Sequence, residues 1–256
     1  MIAACGVLAV SAAVPSLAAD YVAIPAGSLT SVIANADSND AIRIENFALR
    51  VTPVTNGEFS IFVNAHPEWR RNRMPSVFAD RSYLHRWASP TSIGSSLNEQ
   101  QPVTSVSWFA AQAFCESEGG RLPSWYEWEY VAAADEVRAD ARGDPKWRAR
   151  ILSWYSRNSE SPVSSVGGVA NYYGIRDMHG LIWEWVDDFN ALFISADSRN
   201  QGDPDKLKFC GAGAISLQDK ENFAILMRIA LLSSLDGADT TDNLGFRCAR
   251  SGNKEK

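Results

Sequence analysis

Basic charge is in short supply: 24 Lys and Arg stand against 30 Asp and Glu, a formal net charge of −6. Such a balance excludes nucleic acid or an anionic bilayer as the main partner. The run Arg70-Arg71-Asn72-Arg73 is the local exception, and runs of that kind are ordinarily solvated surface. Long apolar runs are missing too. Beyond residue 20 no stretch approaches the ~20 apolar residues a membrane-spanning helix needs. The three histidines, His66, His85 and His179, show no H-x-x-x-H spacing and no carboxylate cluster, which removes the usual zinc and iron signatures. No C-x-x-C, G-x-S-x-G or Gly-rich phosphate loop occurs. Glu127 and Glu129 flank Trp128 on a predicted helix, so they point to different sides and do not make a general acid and base.

Cysteine is scarce as well: Cys5, Cys115, Cys210 and Cys248. Residues 1–19, MIAACGVLAVSAAVPSLAA, are uncharged, apolar and end in small residues. They read as the h-region and A-x-A-like cleavage site of a secretory signal, cut after Ala18 or Ala19. A start upstream of Met1 would supply the basic residue this n-region lacks. Acylation at Cys5 is disfavoured because the apolar run continues past it. The mature part, residues 20–256, then forms one domain in an oxidising compartment with three cysteines. An odd count predicts one disulfide and one leftover thiol, with three pairings open.

With 46% hydrophobic and 11% aromatic residues, nine of them Trp, that part has ample material for a core. Tyr21 to Leu29 reads as strand and turn, and Ile42 to Phe47 alternates like a half-buried strand. Thr55 precedes Glu58 by three residues, a capping box, and Phe59, Phe62 and Val63 follow on one helical face. A second helix is predicted from a cap at Ser107 to a stop at Gly119-Gly120, with Trp108, Ala111 and Cys115 facing inward. Pro123 and Ser124 open a third, whose stripe is Trp125, Trp128 and Val131 or Ala132. Short strand-like patches lie at Ile182 to Val186 and Leu244 to Ala249. The expected class is α+β, loop-rich, with few short strands and two to three helices.

Five segments carry a family resemblance: IPAGSL, FALRVTPVTNGEFSIFV, QPVTSVSWFAAQAFCESEGGRLPSWYEWEYVAAA, NYYGIRDMHGLIWEWVDD and NLGFRCAR. In that order they resemble the sulfatase-modifying factor, or formylglycine-generating enzyme, family, whose fold is a variant of the C-type lectin fold. The resemblance implies a disulfide between Cys115 and Cys248, leaving Cys210 unpaired. It implies one structural Ca²⁺ held by the Asp177 and Glu184 carboxylates and the Gly180 and Ile182 carbonyls, hard oxygens of the kind calcium selects. Leu181 replaces the family's usual Asn, and a second calcium loop is missing from residues 154–170. Catalysis in the family uses Cu(I) between two cysteines five residues apart, because soft thiolates select that ion. The matching positions are Asp219 and Ala224, and residues 211–247 contain no cysteine. The preceding strand is reduced to CGAGA, and the following arginine-rich segment keeps only Arg228.

No catalytic residue, and no copper, is therefore expected. The resemblance points instead to a non-catalytic periplasmic regulator, similar to family members of type VI secretion that act on the periplasmic portion of a membrane Ser/Thr kinase. A membrane-anchoring lipoprotein is a second expected partner. Trp87, Arg70, Arg71 and Arg73 are the candidate contact residues, in the polar insert between the first two helices. The alternative is a cysteine-free oxidative accessory enzyme of the siderophore or copper nitrite reductase maturation type. An interface should show an exposed apolar patch, an enzyme a deep pocket of convergent polar groups.

Overall fold

The computed structural model describes residues 20–31, 41–155, 163–190 and 223–252. The predicted signal at residues 1–19, with Cys5, and also Cys210, Asp219 and the CGAGA segment lie outside the described residues. The short alternating segments become strands. β1 (Tyr21–Ile24), β4 (Phe47–Arg50) and β7 (Ala249–Ser251) form an antiparallel sheet with β4 in the middle. β2 (Gly27–Leu29) pairs antiparallel with β3 (Ile42–Ile44). β5 (Trp183–Glu184) and β6 (Leu244–Gly245) make a parallel two-residue ladder. That ladder requires a glycine, because a Cβ on Gly245 would come within 2.2 Å of the Val103 carbonyl oxygen.

Three helices begin where their caps predict. Thr55 and Glu58 exchange side chain-to-backbone hydrogen bonds of 2.8 and 3.3 Å ahead of α1 (Asn56–Ala65). The Ser107 hydroxyl accepts from Ala110 N at 3.2 Å ahead of α2 (Trp108–Ser117), which stops before Gly119, at φ 72°. A second capping box, Ser124 with Glu127, starts α3 (Trp125–Ala132). Two more helices, α4 (Pro145–Tyr155) and α5 (Phe223–Ser233), correct the expectation of two to three helices to five among the described residues. Neither has a clean stripe to read. Lys146, Arg148 and Arg150 interrupt α4, whereas α5, FAILMRIALLS, is apolar on nearly every face.

The three predicted stripes meet in one core. Phe59, Phe62 and Val63 from α1, Ala111 and Cys115 from α2, and Trp125, Trp128 and Val131 from α3 are all buried in it. Cys115 and Cys248 are joined by a disulfide across 133 residues, with both cysteines fully buried. Closing a loop of that length removes unfolded-state entropy on the order of 4–5 kcal/mol. A smaller cluster of Ala141, Trp147 and Ile151 packs against Ala224 and so seats α4 on α5. No described helix is long and apolar enough to cross a membrane.

Candidate functional site

The W-E-W turn is the polar centre of the molecule. Glu184 is fully buried, and an ionised carboxylate there must be matched. Arg247, equally buried, forks onto it: Nη2 donates to Oε1 at 2.7 Å and Nε to Oε2 at 2.8 Å. Trp128 Nε1 donates to Oε2 at 2.9 Å. The rest of the guanidinium faces carbonyls, with Nη2 3.0 Å from Arg176 O and Nη1 3.3 Å from Arg50 O and Val51 O. Five chain segments are thereby tied at one point. Sequence reasoning passed over Arg247, although a charge inside the apolar stretch LGFRCA signals a buried partner.

Asp177 has a positive φ of 60°, and its carboxylate is spent on backbone. Gly167 N donates to Oδ2 at 2.8 Å and Gly168 N to Oδ1 at 2.9 Å. A Cβ at 168 would lie 2.5 Å from Asp177 Oδ1, so a larger residue there would displace the carboxylate. Among the four residues expected to hold calcium, Asp177, Gly180, Ile182 and Glu184, the two carboxylates thus already have protein donors. Calcium needs six to eight oxygens with net negative charge, and at Glu184 a guanidinium supplies the positive charge instead. As placed, both carboxylates of this set are engaged by protein donors. The described residues contain no group of three or more His, Cys, Asp or Glu able to hold a metal.

Around this centre lies an aromatic cage. The Arg228 guanidinium of α5 stacks 3.6 Å from the Trp128 ring centroid and donates Nη2 to the Glu184 carbonyl. The half-buried His179 ring lies edge-on between Trp128 and Trp147, each with centroids 5.7 Å away. Its Nε2 is 2.8 Å from the Ala132 carbonyl and so carries the proton, while Nδ1 has no donor. Burial, reinforced by the Arg228 charge, pushes the ring's pKa down to about 4.

The expected contact residues are corrected. Trp87 is 3% exposed, donates Nε1 to Asn56 Oδ1 at 3.2 Å and packs edge-on against Phe59, so it is a core residue. Arg70 donates Nε to Val63 O at 3.0 Å and Nη2 to Asn64 O at 3.1 Å, capping the end of α1. Arg71 Nη1 holds the carbonyls of Leu84 and Trp87 at 3.1 and 2.8 Å, pinning the insert. Of that set Arg73 alone is exposed. The basic run is thus mostly internal scaffolding, because long side chains reach back to unsatisfied carbonyls.

Of the two positions matched to the copper cysteines, Ala224 sits in α5 against the Trp147 cluster. Open clefts flank this core among the described residues. One, of about 520 Å³, lies by the start of α1 among Thr52, Thr55, Ser60, Thr91 and Ser92. Its buried charge, Arg50, is ion-paired with Glu58 and, at 3.2 Å, with Glu118. Another, of about 330 Å³, lies between α4 and residues 168–180, and its Glu136 and Arg150 pair at 2.6 Å. Each cleft holds an ion pair of its own, and Val77, Phe78, Val137, Val169 and Tyr172 are exposed apolar side chains.

A model of the Sulfatase-modifying factor enzyme 1-like domain matches residues 9–252. The chain is similar to an inactive C-alpha-formylglycine-generating enzyme 2 of Mus musculus, 28% identical over 256 residues, covering 84% of this chain and 78% of that protein. It is equally similar to a formylglycine-generating enzyme of Streptomyces coelicolor, 28% identical over 254 residues, covering 81% of this chain and 79% of that protein. Among solved structures, PvdO from Pseudomonas aeruginosa aligns over 91% of this chain and 94% of its own, at 18% identity and a TM-score of 0.47.

Proposed function

Because this chain belongs to the sulfatase-modifying factor enzyme 1-like family, we propose that it is a non-catalytic member that works by recognising another protein. One observation carries the reading: its cysteines cannot make the family's copper site. Cys115 and Cys248 are consumed in a buried disulfide, and no two of Cys5, Cys115, Cys210 and Cys248 are five residues apart. Cu(I) needs paired soft ligands, and the single remaining mature thiol, Cys210, supplies one. The similarity to an inactive relative supports the same reading.

The finer reading rests on the signal-like start together with the resemblance to type VI secretion regulators of the family. The chain acts in the periplasm, as TagR does in type VI secretion, on the periplasmic portion of a membrane Ser/Thr kinase, with a lipoprotein as membrane anchor. The test uses the purified mature chain. Competition with a chromophoric Cu(I) chelator and an oxygen electrode should show no copper retained and no O₂ consumed. The tagged kinase ectodomain should co-purify with the chain. Tight copper binding or O₂ turnover overturns the reading in favour of an oxidative accessory enzyme, and failure to bind the ectodomain overturns the kinase assignment alone.

A further inference from the structure

Among the described residues, most arginines are engaged. Arg43, Arg50, Arg121, Arg138, Arg142, Arg150 and Arg247 hold carboxylates. Among the described residues, Arg73, Arg81 and Arg86 are exposed and their side chains make neither an ion pair nor a hydrogen bond, and all three lie in the insert between α1 and α2. Between the first two of them stand Val77 and Phe78, 66% and 41% exposed. Phe78 also stands within a row of rings. Its centroid is 6.5 Å from Trp69 and 5.3 Å from Phe109, which is 5.4 Å from Trp108. The rings behind Phe78 are half-buried.

We propose that this aromatic row, entered at Phe78 and bordered by Arg73 and Arg81, docks an acidic segment of a partner protein that inserts apolar side chains between its carboxylates. The proposal rests on the recognition reading above. Large aromatic rings and arginines are the residue types that anchor protein interfaces. Unpaired arginines on a chain of net charge −6 call for a local anionic partner rather than a general one. A bilayer is the poorer occupant. The net charge repels an anionic surface, two apolar side chains give weak insertion, and a flat surface does not reach half-buried rings. On the Phe109 side of Phe78, Gly237 packs on that ring next to the exposed Asp236, so the partner's acids belong on the side of Arg73 and Arg81.

The probe is a fluorescein-labelled twelve-residue peptide alternating Glu or Asp with Leu or Phe, read by fluorescence anisotropy on the mature chain. Its counterpart carries Lys for every acid, and phosphatidylglycerol vesicles are the third arm. The acidic peptide should bind, weaken with added salt and exceed the Lys peptide by at least about tenfold. Phe78→Ser and the Arg73→Glu, Arg81→Glu double variant should each lose about tenfold or more, whereas Val169→Ser on another face should bind as wild type. Unchanged melting curves confirm that these surface variants fold. Equal binding of both peptides, unaffected patch variants, or binding to vesicles alone overturns the proposal. A chain that retains no copper, consumes no O₂ and ignores the acidic peptide overturns this surface while the recognition reading stands; O₂ turnover overturns that reading instead.

Discussion

Glu184→Gln is the substitution that discriminates most sharply between two accounts of the W-E-W turn. Glutamine keeps the shape, keeps an acceptor for Trp128 Nε1 at 2.9 Å and removes the charge that faces Arg247. Arg247 is fully buried and would keep its positive charge with carbonyls alone around it. Removing one partner of such a pair costs about 3–5 kcal/mol. In a domain of this size each kcal/mol moves Tm by roughly 2–4 °C, so the expected drop is roughly 6–20 °C. Thermal and urea melts of the purified mature chain measure it. Arg247→Met should cost a similar amount, and the double variant should cost less than the sum, since both charges leave together.

The calcium arm supplies the refutation. If the guanidinium is the counter-charge, wild-type melts in calcium chloride and in EGTA should coincide, and Glu184→Gln should lose the same amount in both. A wild type that loses stability in EGTA, together with a Glu184→Gln variant insensitive to calcium, would make Glu184 a calcium ligand and refute the assignment to Arg247.

His179 should make the fold acid-sensitive. Its pKa is pushed down by burial to about 4, below the 6.5 of the unfolded chain, so the unfolded state binds the proton first as pH falls. The stability is present above about pH 6.5 and lost on descent towards pH 4, by about 3 kcal/mol at most; urea midpoints should follow, and His179→Phe should flatten that slope. Reduction of Cys115–Cys248, or replacement of both by Ala, should lower stability by about 4 kcal/mol, read by melts with and without reductant. Thr55→Ala removes the oxygen that caps Glu58 N and should cost about 1 kcal/mol by urea titration, with the bond at Thr55 N to the Glu58 carboxylate retained.

What could be read in the sequence was local chemistry; what could not was pairing at a distance. Thr55 with Glu58 and Ser124 with Glu127 announce themselves because both partners of a cap lie three residues apart. The stripe Trp125, Trp128, Val131 is legible for the same reason, since helical periodicity is a short-range signal. Trp87 was misjudged because a polar neighbourhood in sequence says nothing of Asn56, 31 residues away, whose side chain gives its indole a buried acceptor. Arg70 and Arg71 were misjudged likewise, their partners being carbonyls, which composition never displays.

The same contrast explains how this scaffold remains assembled without the family's cysteine pair. Its strongest long-range ties are the fork of Arg247 on Glu184, across 63 residues, and the Cys115–Cys248 disulfide, across 133. Both are anchored in the stretch FRC and reach α2, the W-E-W turn and the β4 end. None of these atoms belongs to the positions matched to the copper ligands, Asp219 and Ala224, and Ala224 lies instead in the separate Trp147 cluster. The ties that hold the fold together therefore lie apart from Ala224, so a change at that position leaves them in place. The insert between α1 and α2 has ties of its own. Arg70, Arg71 and Trp87 tie it down from within by hydrogen bonds to Val63, Trp87 and Asn56, while Phe78 and Arg73 face outward. Loosening the insert from inside, as by Arg71→Ala, should accordingly weaken the acidic peptide although Arg71 itself is spent on carbonyls; full-strength binding by that variant would show that the patch needs no such support.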